Sequence, residues 1–225
     1  MLAPVPQPFT ISVSEQLIVS ALLCQPSDAA ACYVLAHGAG AGMHHAFLAS
    51  VSDGLAARSI ATLRYQFPFI ERGSKRPDPP PLAHSTVRAA IAFAARQLPD
   101  VPLFAGGKSY GGRMTSQAQA IEPLPAVRGL VFLGFPLHPA RKPSIQRAAH
   151  LAQVECPMLF LQGTRDDLAD VELVRSVVQQ IGERATLRWF TDADHSFHVP
   201  ARGGQNDQQV LHSMLDTISA WIRAR

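Results

Sequence analysis

Two features of the sequence predict an α/β fold in which helices cover both faces of a mostly parallel sheet. Short runs of consecutive apolar residues recur along the chain, as they do in strands that are buried on both faces. Between these runs, apolar residues are spaced three or four positions apart, as in the helices that connect parallel strands. The 225 residues suffice for one domain, residues 1–225, with a large core.

Eight strands are predicted, at residues 10–13, 17–24, 31–36, 60–65, 101–104, 129–133, 157–162 and 186–190. Only three residues separate the first two strands, so we expect an antiparallel hairpin at the start of the sheet. The helical spacing of apolar residues predicts helices around residues 47–55, 87–98, 144–151, 168–181 and 211–222. After the hairpin, strands and helices therefore alternate to the end of the chain.

Residues 66–81 are the stretch least suited to regular structure. They contain five prolines, namely Pro68, Pro77, Pro79, Pro80 and Pro81. Proline donates no backbone hydrogen bond and interrupts helices, so we predict a loop on the surface. Because the alternation of strands and helices resumes unchanged after it, the stretch is not expected to link two domains.

The charge pattern argues against nucleic acids and membranes as partners. The formal net charge is only +3, and no run of lysine or arginine indicates a nucleic-acid surface. No stretch reaches the ~18 consecutive apolar residues that a membrane-spanning helix needs. The first ten residues contain no basic residue and no long apolar run, so no signal peptide is expected.

The three cysteines predict neither disulfides nor a metal site. Cys24, Cys32 and Cys156 are odd in number and lie in or beside apolar, strand-like segments. This usage is typical of buried free thiols in a reducing compartment. We therefore predict a cytoplasmic protein that holds no metal and no cofactor.

The most informative stretch is residues 101–114, in which an apolar strand runs into a turn rich in glycine. Residues 107–111, Gly-Lys-Ser-Tyr-Gly, fit the G-x-S-x-G pattern of a nucleophile elbow. A serine on such a sharp turn has a strained backbone, and glycine two residues to either side avoids steric clash. The pattern predicts that the Ser109 hydroxyl lies above the sheet, at the N-terminus of the next helix. Lys108 is expected to point to solvent.

A phosphate-binding loop is the competing interpretation of this stretch, because Gly107, Lys108 and Ser109 resemble the end of G-x-x-x-x-G-K-[ST]. That motif requires a glycine five residues before Gly107, and position 102 is a proline. The sequence therefore favours the elbow. Eight strands, with a hairpin first and the elbow after the fifth, are the arrangement of the α/β-hydrolase fold.

A serine nucleophile needs a base and a carboxylate, which follow it in the order Ser, Asp or Glu, His in this fold. Asp166 lies shortly after the predicted strand 157–162 and is the expected acid, with Asp167 as the alternative. His195 lies between the last strand and the last helix and is the expected base, with His198 as the alternative.

The glycine-rich loop at residues 37–42 follows a strand and is the expected second side of an oxyanion hole. The backbone N–H groups of Ala39 and Tyr110 are the predicted donors to the oxyanion. His37 is expected to brace this loop. Arg113 lies in the first turn of a helix, where a cation is disfavoured, so we expect it to pair with a carboxylate; binding of an anionic substrate is the alternative.

Several stretches resemble the small α/β-hydrolases grouped with dienelactone hydrolases, and within them the branch of testis-expressed and NSL-complex subunit 3 hydrolase-like proteins. The matching segments are LAHGAGAGM (35–43), RYQFPF (64–69), RPDPPP (76–81), GGKSYGGRM (106–114), GFPLHPARKP (134–143), QGTRD (162–166) and DHSF (194–197). The resemblance implies a triad of Ser109, Asp166 and His195.

The chain departs from that family at two places. Tyr110 stands where methionine is common, and residues 167–169 replace a usual Pro-Phe-Gly, which affects the expected shape of the substrate pocket. Dienelactone hydrolases proper use a cysteine nucleophile, so Ser109 argues against that particular activity.

The sequence therefore predicts a serine hydrolase that cleaves a small carboxylic ester or thioester through an acyl-enzyme. A catalytically silent hydrolase fold that binds a protein or a small ligand is the alternative. About 21 residues separate the sixth and seventh strands, too few for a lid domain beyond the usual crossover. We expect a shallow pocket framed by Phe67, Phe69 and the loop after Gly134, which favours short, water-soluble acyl esters.

Overall fold

The computed structural model of the protein describes residues 4–201 and 204–225, which form one eight-stranded sheet with helices on both faces. The strands are β1 (Gln7–Ser14), β2 (Leu17–Cys24), β3 (Ala31–Ala36), β4 (Ile60–Tyr65), β5 (Leu103–Lys108), β6 (Val127–Leu133), β7 (Met158–Gly163) and β8 (Ala185–Phe190). The helices are α1 (Ala46–Ala56), α2 (Pro68–Glu71), α3 (Pro80–Gln97), α4 (Tyr110–Ile121), α5 (Val171–Ile181) and α6 (Asp207–Arg223). Two 3₁₀ helices span Gln146–Gln153 and Gly182–Arg184.

The strands lie in the order β1-β2-β4-β3-β5-β6-β7-β8. Strand β2 pairs antiparallel with both β1 and β4, and every pairing from β4 through to β8 is parallel. The predicted hairpin and the mostly parallel sheet are therefore confirmed. The parallel strands all end at the same edge, which is where such sheets bind ligands.

Alternate residues of the central strands pack into two separate cores. Helices α1 and α6 cover one face, where Tyr33 and Leu35 of β3 are buried. Helices α3, α4 and α5 cover the other face, where Val34 and Ala36 are buried. Because both faces are covered, the strands are apolar throughout, which is why they appear in the sequence as continuous apolar runs.

The expectation that residues 66–81 form a surface loop is right only for their middle part, residues 72–79, and wrong for both ends. Pro68 begins α2, and Pro80 begins α3. Proline is favoured in the first turn of a helix, where its missing N–H would have no partner within the helix. Phe67 and Phe69 are fully buried, and the Asp78 carboxylate accepts a hydrogen bond from the Phe69 N–H at 2.8 Å.

Two other helical boundaries differ from the prediction. The helix expected at residues 144–151 is a 3₁₀ helix, Gln146–Gln153. The helix expected from residue 168 begins at Val171, because the Asp170 carboxylate caps it by accepting hydrogen bonds from the N–H groups of Glu172 and Leu173.

No lid domain covers the sheet in the part of the chain that the structure describes. The 3₁₀ helix is the only regular element between β6 and β7 within those residues. None of the described helices is both long and apolar enough to cross a bilayer.

Candidate active site

The predicted elbow is present between β5 and α4. Ser109 has φ 50° and ψ −115°, outside the conformations that residues other than glycine normally adopt. Such a backbone costs on the order of 1–3 kcal/mol and persists only where its surroundings hold it. The Ser109 N–H donates to the Leu133 carbonyl of β6 at 3.2 Å, and α4 starts at the next residue.

Glycine is required on both sides of Ser109 by close backbone packing. Gly107 has φ +149°, and a Cβ there would lie 2.2 Å from the Ala36 carbonyl oxygen of β3. A Cβ at Gly111 would lie 2.5 Å from the His37 carbonyl oxygen. These contacts let the start of α4 approach the end of β3, so that the turn and the glycine-rich loop share one site.

A continuous chain of hydrogen bonds joins Ser109, His195 and Asp166, as the sequence predicts. The Ser109 Oγ lies 2.8 Å from His195 Nε2, and His195 Nδ1 lies 2.8 Å from Asp166 Oδ2. An ionised carboxylate only accepts hydrogen bonds, so Nδ1 carries the ring proton of the neutral imidazole. His195 Nε2 is then the acceptor, and the Ser109 hydroxyl donates to it.

Three donors surround the buried Asp166 carboxylate. Its Oδ2 accepts from Gln162 Nε2 at 2.6 Å as well as from His195, and its Oδ1 accepts from the Leu168 N–H at 2.8 Å. Gln162 lies in β7, and its Oε1 accepts from the Phe135 N–H at 2.9 Å. These hydrogen bonds fix the orientation of the carboxylate, and Gln162 connects it to the loop after β6.

The loop that carries His195 is held by Asp194 and Phe197. The Asp194 carboxylate accepts from the N–H groups of Ser196 and His198 at 2.7 and 3.0 Å. The Phe197 ring is buried and stacks on Phe47 with the ring centroids 5.9 Å apart. Although Asp194 is adjacent to His195, its carboxylate therefore stabilises the turn and does not orient the His195 ring.

The alternative acid and base lie outside this chain of hydrogen bonds. The residue after Asp166, Asp167, is exposed. His198 is also exposed, and its Nδ1 lies 2.8 Å from Oδ2 of Asp207. The geometry thus favours Asp166 and His195 over both alternatives.

The glycine-rich loop after β3 lies beside Ser109, and His37 holds it there. The Phe67 N–H donates to His37 Nε2 at 2.9 Å, so the Nδ1 proton is donated to the Gly38 carbonyl oxygen at 2.7 Å. Burial lowers the pKa of His37 to about 4, so the ring is neutral at physiological pH. Ala39 lines the same cavity as Ser109, and the Tyr110 N–H is the first of α4, where N–H groups have no partner within the helix.

A cavity of about 420 Å³ opens on Ser109 and His195. Its apolar wall is formed by Ala39, Ala41, Phe47, Leu48 and Leu168. The expectation that Phe67 and Phe69 frame this pocket is wrong. Both rings pack edge-on against His37 and Tyr110 inside the protein.

A larger cleft of about 860 Å³ lies on the outer side of Asp166. It is lined by polar residues that include Asp167, Asp170 and His198, and it reaches neither Ser109 nor His195. Of these two cavities, only the smaller one reaches Ser109 and His195.

Two cations near the elbow differ from expectation. Arg113 forms no ion pair with a carboxylate of residues 4–201 and 204–225, and its buried Nε has no hydrogen-bond partner there. Burial lowers the pKa of Arg113, and the nearby Arg147 lowers it further. Lys108 does not extend into solvent either, because its Nζ donates to the His195 carbonyl oxygen at 2.6 Å.

Sequence reasoning missed Gln162 and Lys108. A signal for the first was present, because Gln162 is the single polar side chain in the apolar run of β7 and a buried amide must find partners. For Lys108 no signal was available, since its partner is a backbone carbonyl 87 residues away.

These features, a parallel sheet with a serine elbow after β5 and an acid and a base after β7 and β8, define the α/β-hydrolase class of protein. Residues 29–223 match the family described as "Alpha/beta hydrolase domain". The chain belongs to this family.

Solved structures share the fold over nearly the whole chain. A dienelactone hydrolase from Anabaena variabilis has a TM-score of 0.77 at 21% identity, covering 97% of this chain and 98% of that one. A Xanthomonas campestris protein described as an α/β serine hydrolase without a lid has a TM-score of 0.74 at 18% identity, with coverages of 97% and 94%. The esterase domain of a Rhodothermus marinus protein has a TM-score of 0.74 at 16% identity, with 98% of each chain covered. These likenesses bear out the predicted fold, including the likeness to dienelactone hydrolases.

Proposed function

We propose that the protein is a serine hydrolase that cleaves a small carboxylic ester or thioester through an acyl-enzyme. The observation that carries this proposal is the unbroken series of hydrogen bonds from Ser109 Oγ through His195 to Asp166, each 2.8 Å long. Ser109 is the nucleophile, His195 is the general base, and Asp166 orients the imidazole and stabilises its charged form.

In the first half of the reaction, Ser109 Oγ attacks the carbonyl carbon of the substrate while its proton moves to His195 Nε2. The resulting imidazolium is stabilised by the Asp166 carboxylate, and it then protonates the leaving alcohol or thiol as the carbon–heteroatom bond breaks. In the second half, water gives a proton to His195 and attacks the acyl-enzyme. The carboxylic acid leaves when Ser109 takes the proton back.

The negative charge of each tetrahedral intermediate needs donors that are already in place. We assign this role to the backbone N–H groups of Ala39 and Tyr110, which flank Ser109 from the loop after β3 and from the start of α4. The N-terminal end of α4 adds its positive partial charge at the same point. Loss of one such donor typically costs on the order of 10²–10³ in kcat.

The size and lining of the cavity support a small acyl group. A volume of about 420 Å³, walled on one side by Phe47 and Leu48, accepts a short apolar chain beside the reacting carbonyl. The names of two structural neighbours, a dienelactone hydrolase and an esterase, agree with an ester as the substrate class.

A fluorophosphonate probe tests the nucleophile directly. We expect it to label the wild-type protein and the Ser196→Ala variant, but not Ser109→Ala. Ser196 is the matched control, because it is exposed and lines the same cavity. If the folded wild-type protein is not labelled, the hydrolase proposal fails and the fold serves instead as a binding scaffold.

We also propose that residues 1–225 are one domain and that the protein is cytoplasmic. The shared sheet supports the first statement. Cys24 and Cys32, which are buried free thiols, support the second. Within the dienelactone-hydrolase-like group, placement in the branch of testis-expressed and NSL-complex subunit 3 hydrolase-like proteins rests on the sequence motifs.

A further inference from the structure

Lys108 is a half-buried cation next to the candidate nucleophile, and the proposed acyl transfer does not use it. It is the last residue of β5, so its backbone leads directly into Ser109. Its Nζ donates to the main-chain carbonyl oxygen of His195 at 2.6 Å and lies 5.6 Å from the centre of the Phe197 ring. One side chain therefore connects the strand that carries Ser109 with the loop that carries His195.

The space around this ammonium is built to hold it. Gly134, in the loop after β6, has φ +70°, and a Cβ there would lie only 3.1 Å from Lys108 Nζ. The same Cβ would lie 3.5 Å from the His195 ring, so a side chain at position 134 would crowd both groups. The face of the Phe197 ring covers another side through a cation–π contact.

The charges that face Lys108 come from the loops after β7 and β8. The carboxylates of Asp166 and Asp194 favour its charged form, whereas burial favours the neutral amine. Burial is the larger effect and lowers the pKa of Lys108 to about 8. Neither carboxylate is an ion-pair partner of Lys108 at 4 Å or less in the described residues, so the hydrogen bond to the His195 carbonyl is what fixes the ammonium.

We infer that Lys108 is a positioning residue, which holds His195 over Ser109 through a charge-assisted hydrogen bond to the His195 main chain. The inference rests on the proposed function, because it assigns Lys108 a task in that same site. Asp166 fixes the His195 ring at Nδ1, and Lys108 fixes the backbone from which the ring extends. With both in place, Nε2 is held at hydrogen-bonding distance from Ser109 Oγ.

This role makes the reaction sensitive to alkaline pH. Lys108 is charged and bonded below pH 8, and it loses its proton as the pH rises through about 8. A neutral amine is the weaker donor, because hydrogen bonds from charged groups are roughly twice as strong. We therefore expect kcat to fall above pH 8 while KM changes little, because the hydrogen bond that weakens is made to the His195 main chain and not to the substrate.

Hydrolysis of a nitrophenyl ester between pH 6 and pH 10 tests the inference. Lys108→Met should lower kcat by about 10- to 100-fold, the size of effect expected when a catalytic group is displaced by about 1 Å. The variant should also lose the alkaline fall in kcat, and its KM should stay within about twofold of wild type. Lys108→Arg keeps the charge and should restore part of kcat without an alkaline fall. Lys142→Met, at an exposed position, is the control and should behave as wild type.

The two proposals fail in different ways. If wild type reacts with a fluorophosphonate and Lys108→Met reacts equally fast, with the alkaline fall unchanged, the inference about Lys108 is overturned alone. If the wild-type protein is not labelled, both proposals fall. Should Lys108→Met fail to fold, nitrogen NMR of the wild-type Lys108 side chain decides: an Nζ that titrates like a lysine in an unfolded peptide overturns the inference, and one that titrates near pH 8 together with kcat supports it.

Discussion

Replacement of Gln162 by methionine should weaken both the stability of the fold and the activity of the site. Methionine nearly matches glutamine in length but offers no amide. The change removes a donor 2.6 Å from the Asp166 carboxylate and an acceptor 2.9 Å from the Phe135 N–H, both of which are buried. A buried N–H without a partner costs about 1–3 kcal/mol, and a hydrogen bond to a charged group contributes about 1.5–3 kcal/mol. We therefore expect the free energy of unfolding to fall by about 3–5 kcal/mol.

Activity should fall less than it does when a triad member is lost. Asp166 keeps its hydrogen bonds to the Leu168 N–H and to His195, so Gln162→Met should lower kcat by about 10- to 100-fold, as a small misplacement does. Urea denaturation and ester hydrolysis measure the two effects. Gln179→Met, at an exposed position of α5, is the matched control and should change neither. A loss of less than about 1 kcal/mol in Gln162→Met, with normal kcat, would refute the reasoning.

Three further predictions follow from the site and its surroundings. Asp166→Asn should lower kcat by about 10⁴, as loss of the orienting acid does in other triads, whereas Asp167→Asn should leave it unchanged; the reverse pattern would show that the acid is misassigned. The free energy of unfolding should fall by about 2–3 kcal/mol between pH 7.5 and pH 4.5 on account of His37. In the unfolded chain this histidine binds a proton below about pH 6.5, whereas in the folded protein the buried ring stays neutral down to about pH 4. Urea melts should show a smaller fall in His37→Gln than in His212→Gln, and equal falls would contradict the assignment. In a chain-length series of nitrophenyl esters, kcat/KM should be highest for short acyl groups. The rate should show no additional increase when the ester concentration exceeds the critical micelle concentration. A maximum of kcat/KM at long acyl chains would contradict the assigned cavity.

The elements that place Ser109, Asp166 and His195 could be predicted because each follows an apolar run that is buried on both faces. Continuous apolar runs mark the strands of a covered parallel sheet, and the ends of those strands converge at one edge. The choice of Asp166 over Asp167 also followed from position along the chain. The hydrogen bonds that make the choice firm, from Gln162 and Leu168, depend on packing between loops.

That Phe67 and Phe69 lie outside the cavity wall could not be predicted, because it depends on which way the segment after β4 folds. The prolines of residues 66–81 suggested an exposed loop, yet Pro68 and Pro80 occupy helix starts, where their lack of an N–H has no cost. The Phe67 N–H donates a hydrogen bond to His37, and the Phe67 ring is buried. Local composition cannot predict a contact such as this one, between residues 30 positions apart in the chain.

The partner of Arg113 was mispredicted for a related reason. A cation at a helix N-terminus is unfavourable on dipole grounds, and that argument led to the expectation of a carboxylate. In the structure, the charged group with the largest effect on the pKa of Arg113 is Arg147, which lies in the 3₁₀ helix after β6. Which side chains of separate elements meet is a property of the tertiary fold.

The position of β8 at the edge of the sheet determines which part of the molecule unfolds first in denaturant. Within residues 4–201 and 204–225, strand β8 pairs with β7 alone, whereas β5 lies between two neighbours. Peripheral strands open locally at lower free energy than central ones. A partial opening of β8 would move His195 away from Ser109, which would stay at the end of an intact β5. In dilute denaturant the protein would therefore lose activity while most of its sheet remained protected from hydrogen exchange.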